Sequence, residues 1–165
     1  MIIDDKGGIE IKDLGLIISS EFTIDDINKS PFKNRFELKV IPNAPKEYSE
    51  FVLRGIIIEN TPFVLGLYFM KNEIRGLSLV VEETKEWEKL FEKSRLNRNQ
   101  EQMDTVLNRM NKEHLDSELF KKKIVDDILI AQHGATKKEF SWGKFLSVYD
   151  DRAGFTNLMI SYKSE

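Results

Sequence analysis

Residues 138–163, K-K-E-F-S-W-G-K-F-L-S-V-Y-D-D-R-A-G-F-T-N-L-M-I-S-Y-K, constrain the fold more than any other stretch of this chain. Two runs rich in aromatic and β-branched residues, Phe140–Tyr149 and Phe155–Tyr162, flank a short polar segment, and such runs suit a pleated, half-buried surface. Asp150–Gly154 reads as a five-residue hairpin loop, with Gly154 where positive φ is needed. That loop sets Tyr149 opposite Phe155. One face is then expected to carry Trp142, Leu146, Val148, Thr156, Leu158, Ile160 and Tyr162. The other carries Phe145, Tyr149, Phe155 and Met159, diluted by Ser147 and Asn157. With one face strongly apolar and the other half apolar, the hairpin belongs inside a sheet, under helices. Gly143 beside Trp142 marks a bulge or a close backbone approach.

The preceding chain supplies the rest of an α+β domain. Ile9–Lys12 and Leu14–Ser19 read as short strands after the Gly7-Gly8 turn. Thr23 and Asp26 have capping-box spacing, Phe22 and Ile27 have staple spacing, and Ser30-Pro31 closes a short helix over Ile24–Lys29. Phe36–Ile41 follows as a strand. Glu50–Ile58, Phe63–Met70 and Ile74–Glu82 then form a meander, with turns at Asn60-Thr61 and Asn72-Glu73. The first of these turns places Gly55 opposite Gly66, leaving a saddle for a helix or a large aromatic, Trp87 first. Residues 84–133 read as helical: a segment capped by Thr84 with Trp87, Leu90 and Phe91, a polar break, a segment with Met103, Val106, Leu107 and Met110, and a third over Asp116–His133. The third carries a wide stripe of Leu119, Phe120, Ile124, Val125, Ile128 and Leu129, and Gly134 ends it. The expected architecture is one domain over residues 1–165: a single, mainly antiparallel, twisted sheet of about six strands covered by two to three helices. Its parts are strands and meander at 1–82, helices at 84–133 and the hairpin at 138–163.

The totals exclude several function classes. A net charge of −3 argues against a protein that binds nucleic acid by neutralising phosphates. The absence of cysteine removes disulfides and thiolate metal sites. No apolar run approaches membrane-spanning length, and the acidic start M-I-I-D-D-K-G-G lacks the features of a signal peptide, so a cytoplasmic address is expected.

No catalytic constellation emerges. His114 and His133 lack metal-ligand spacing and read as surface or cap residues. The adjacent acids Asp4-Asp5, Asp25-Asp26, Glu82-Glu83, Asp126-Asp127 and Asp150-Asp151 diverge on helix or strand, so none is an acid/base pair by sequence. Glycine-rich phosphate loops and G-x-S-x-G are missing. Lys121-Lys122-Lys123 reads as the solvated face of a helix. The candidates for contacting a partner are Asp150, Asp151 and Arg152 in the hairpin loop, where rigid strands would hold them, and Arg95 and Arg98 in the polar break. A turn aspartate and an arginine stacked on Tyr149 or Phe155 explain the loop equally well as structure.

The closing pattern W-G-x-x-x-S-x-Y-D-x-R-x-G and I-x-Y comprises Trp142, Gly143, Ser147, Tyr149, Asp150, Arg152, Gly154, Ile160 and Tyr162. It resembles small bacterial proteins encoded near polymorphic toxins, which look like immunity proteins. The resemblance implies a non-catalytic cytosolic module that binds a cognate, toxin-like protein and needs no cofactor. It transfers no catalytic residue. Two other classes stay open: a small-molecule binder or enzyme using a cleft between sheet and helices, and a structural or assembly subunit with an exposed apolar patch on the Phe145/Phe155/Met159 face.

Overall fold

The fold is built around one large antiparallel sheet in a computed structural model that describes residues 3–4, 6–58, 60–83, 85, 106–150 and 155–163, with all their side chains but those of 13 and 106–113. The elements in chain order are β1 (Ile9–Ile11), β2 (Leu16–Ile18), α1 (Ile24–Lys29), β3 (Glu37–Lys39), β4 (Tyr48–Ile58), β5 (Thr61–Met70), β6 (Glu73–Val81), α2 (Val106–His133), β7 (Lys137–Glu139), β8 (Gly143–Asp150) and β9 (Phe155–Tyr162). Strands β1 and β2 form a separate hairpin. The other seven strands run in the order β3-β4-β5-β6-β9-β8-β7. The sheet thus has one strand more than expected; the addition, β7, is a charged K-K-E segment with no apolar alternation to announce it.

The short helix forms as its sequence demands. Thr23 accepts from the Asp26 amide, and the Asp26 carboxylate accepts from the Thr23 amide at 2.8 Å. Phe22 and Ile27 are both buried in the core. Ser30, held extended before Pro31, ends the helix.

The meander is present, but both of its turns fall one residue earlier than expected. Ile58 pairs with Thr61 and Met70 with Glu73. Asn60 and Lys71 take the positive φ that these tight turns require, at 62° and 60°. Gly55 and Gly66 do not face each other. Arg54 and Gly55 together oppose Val64 in a bulge, Gly55 has φ 66°, and Gly66 pairs with Val52. The aromatic over Gly66 is its own strand's Tyr68, whose hydroxyl lies 3.0 Å from where a Cβ would stand. Trp87, Leu90, Phe91 and Met103 lie outside the described residues.

Alternation on β5 divides the sheet into two faces. Phe63, Leu65, Leu67 and Phe69 point to the core, together with Leu77 and Leu79 of β6 and Leu158 and Ile160 of β9. The β1–β2 hairpin, α1 and α2 contribute Ile9, Ile18, Ile27, Val125 and Leu129 to this same cluster. On the other face, Val52 is buried yet separate from that core.

From Val106 on, the helix is continuous, so the boundary expected at Asp116 is absent. Gly134, at φ 70°, closes it by donating to the Ile130 carbonyl at 2.9 Å. The expected stripe packs on the core through Val125 and Leu129, with half-buried Phe120, Ile124 and Ile128 beside them, and Leu119 alone of the six is exposed; Glu118 and Lys121 are buried as well.

Candidate functional site

The closing hairpin forms with its register displaced by one residue. Asp150, not Tyr149, pairs with Phe155, and Phe145 pairs with Ile160. A slip of one residue exchanges the faces of a strand. Phe145 and Ser147 therefore enter the core, while Leu146 and Val148 join Phe155, Asn157 and Met159 on the outer face. The arm begins at Gly143 rather than Phe140, because residues 140–143 turn between β7 and β8. The expected close approach at Gly143 is real: any Cβ there would collide with the Ser161 carbonyl.

This outer face is the candidate site. Phe155 and Met159 are exposed, Leu146 and Val148 are half-buried, and Ser78 and Asn157 are buried between neighbours. Asn157 is only 6% exposed, and its side-chain oxygen has no hydrogen-bond partner among the described residues. Leaving such an acceptor unmet costs roughly 1–3 kcal/mol. Farther along the face, the Tyr68 hydroxyl and Ser78 Oγ share a hydrogen bond of 2.7 Å, and the Tyr48 hydroxyl donates to Glu50 Oε2 at 3.3 Å. Burial raises the Tyr68 phenol above its usual range, against the pull of the Ser78 hydrogen bond. Tyr48 is pushed up to about 12, by burial first and by the Glu50 carboxylate second.

The sequence-derived partner residues are only partly placed. Asp150 is the last residue of β8 and is half-buried. Asp151, Arg152, Arg95 and Arg98 lie outside the described residues. The assembly reading put Phe145 beside Phe155 and Met159; Phe145 is instead fully buried on the opposite face.

Beneath the closed end of the hairpin sits an ionic cluster that sequence reasoning missed. Glu118 and Lys121 are 1% and 4% exposed. The Thr156 amide, beyond the last β6–β9 pair at Leu79 and Leu158, donates to Glu118 Oε2 at 2.5 Å. Lys121 Nζ donates to Glu118 Oε1 and Glu83 Oε1, both at 2.6 Å. Thr156 Oγ1 donates to the Glu118 carbonyl at 2.8 Å. Lys121 is thus no part of a solvated face. Lys122 and Lys123 do lie outward, paired with Asp126 and Asp127. The available signal was the spacing itself, because Glu118 and Lys121 continue the Val125–Leu129 stripe backward.

His133 is half-buried in the last turn of α2, with its ring 5.0 Å from that of Phe145. Among the described residues, no group of three or more His, Asp or Glu side chains is arranged to hold a metal ion. A shallow groove of about 410 Å³ runs between β2 and α1, lined by Leu16, Ile17, Phe22, Asp26 and Lys29. Asp26 there has a lowered carboxyl pKa, caused first by the Thr23 hydroxyl and then by the Thr23 amide. The helix cap therefore accounts for the one perturbed carboxylate in that groove. No helix among the described residues is long and apolar enough to cross a membrane.

No protein-family model and no curated protein sequence matches the chain. Among solved structures, a chain from the complex of Rhs1-CT with its cognate immunity protein RhsI1 is similar in fold. The TM-score is 0.51 at 10% identity, and the match covers 96% of this chain and 83% of that chain. At that identity the likeness is one of fold.

Proposed function

We propose that this protein is a non-catalytic binding module of the immunity type, which binds a cognate toxin and blocks it in the cytoplasm. The observation that carries this reading is the outer face of the closing hairpin. Exposed Phe155 and Met159 stand beside half-buried Leu146 and Val148. Exposed apolar anchors flanked by half-buried apolar neighbours are what a partner protein's surface would cover. The fold likeness to a chain from a toxin–immunity complex supports the same reading. Asp150, the last residue of β8, lies at the edge of this surface, and Asp151, Arg152, Arg95 and Arg98 are the further residues proposed to contact the partner. Nucleic acid and membrane are not its targets, and no cofactor is required.

Affinity capture from the native host, read by mass spectrometry, tests the proposal. The expected capture is a toxin domain encoded beside this gene. Met159→Lys should weaken that complex by about thirtyfold, the loss of a ~2 kcal/mol anchor, while leaving the melting temperature unchanged. Capture of no toxin domain, or full affinity in the variant, would overturn it.

A further inference from the structure

We infer that the free edge of β3 is a pairing surface for a second copy of this chain, joined antiparallel about a two-fold axis through Leu38. Strand β3 ends the sheet: one side is bonded to β4, and no described strand pairs with the other. An open edge presents unpaired backbone donors and acceptors, and soluble proteins usually guard it with charge. Here the edge strand carries both signs of charge, Glu37 and Lys39, on either side of an apolar centre. Leu38 is 57% exposed and Val40 is 90% exposed, the highest value among the large apolar side chains described.

The sequence of this edge complements itself. Antiparallel pairing about Leu38 sets Leu38 against Leu38 of the second copy. Glu37 then faces Lys39 of the second copy, twice by symmetry. On the same face, Lys39 already lies opposite Glu50 of β4. Pairing extends this into a row of alternating charge: Glu50, Lys39, then Glu37 of the second copy. Opposite charges placed directly across strands stabilise, and like charges destabilise.

The other edge of the sheet differs at its centre. Strand β7 reads Lys137-Lys138-Glu139, so a two-fold axis through its centre sets Lys137 against Glu139 twice but also Lys138 against Lys138, where β3 sets leucine against leucine. Lys138 Nζ lies over the Phe140 ring, 5.2 Å from its centre. One edge therefore meets a like charge at its axis, and the other meets an apolar side chain. Because β3 is short, the contact falls at the low end of interface sizes, and the dimer should form as concentration rises.

Sedimentation equilibrium up to the solubility limit tests this on the full chain. The wild type is expected to pass from monomer to dimer. Glu37→Lys and Lys39→Glu should each weaken association by about tenfold or more, since each turns two attractive pairs into repulsive ones. The double exchange should restore dimerisation, because opposite charges again meet across the axis. Lys138→Glu, on the far edge, should leave the wild-type constant unchanged. All these positions are exposed, and circular dichroism melts verify that each variant is folded. A wild type that stays monomeric, single and double exchanges that behave alike, or a dimer broken by Lys138→Glu would each overturn the proposal. So would a β3 edge filled by a strand of another protein instead.

Discussion

Glu118 and Lys121 sit in the face of α2 that packs on the sheet, and almost no water reaches either. Such a pair holds only because every lone pair and proton finds a counterpart, here the Thr156 amide and Glu83. Glu118→Ala should therefore lower the unfolding free energy by about 3–5 kcal/mol, read by urea denaturation, because it leaves the Thr156 amide unmet and takes from the buried Lys121 ammonium its buried carboxylate, with Glu83 remaining. Replacing Glu118 and Lys121 together with leucine should cost far less than the two single changes summed. The sequence hid this cluster. A glutamate and a lysine three residues apart usually mark a surface pair, and Lys122 and Lys123 in the same run do face outward. Tyr48 offers a second test. Its folded pKa is raised above its unfolded value, so its contribution is full below pH ~10 and is lost as pH rises through about 12. Phenolate absorbance should show Tyr48→Phe removing a late-titrating group, and that variant should resist alkaline unfolding better than the wild type.

Elements were legible where the signal was local. The capping box of α1, the meander and the Gly134 stop depend on neighbours in sequence, and all appear. Registers were less legible, because side-chain direction alternates and a loop one residue shorter reverses every assignment on one arm. Pairing of Asp150 with Phe155 put Phe145 inside and Leu146 outside. Phe145→Ala should accordingly cost about 3–5 kcal/mol, and Leu146→Ala well under half of that. The register read from sequence expects the reverse order, so one pair of denaturation curves decides between them. The Gly55 bulge displaced the β4–β5 register in the same way, through an αL residue that no periodicity reports.

At the scale of the whole molecule, strand order was not legible, since β9 pairs with β6 across everything between residues 81 and 155. The outer face was legible in part: Phe155 and Met159 were expected on one exposed face, whereas exchanging Phe145 for Leu146 and Val148 needed the register. Long-range contacts also tie the two ends of the fold together. The Tyr162 hydroxyl donates to the Gly7 carbonyl at 2.9 Å, and the Trp142 ring fills the space a side chain at Gly7 would need. Tyr162→Phe leaves that carbonyl unmet and should cost about 1–3 kcal/mol. In a domain of this size that lowers the melting temperature by about 2–4 °C per kcal/mol, which calorimetry can read. The seating of β9 between β6 and β8 has a further consequence for synthesis. A ribosome completes β6 long before β9 exists, and for that interval Leu77 and Leu79 border an open flank. Closure of the nascent sheet therefore waits on β9, and a message cut short before it would yield a half-sheet prone to stick to its siblings.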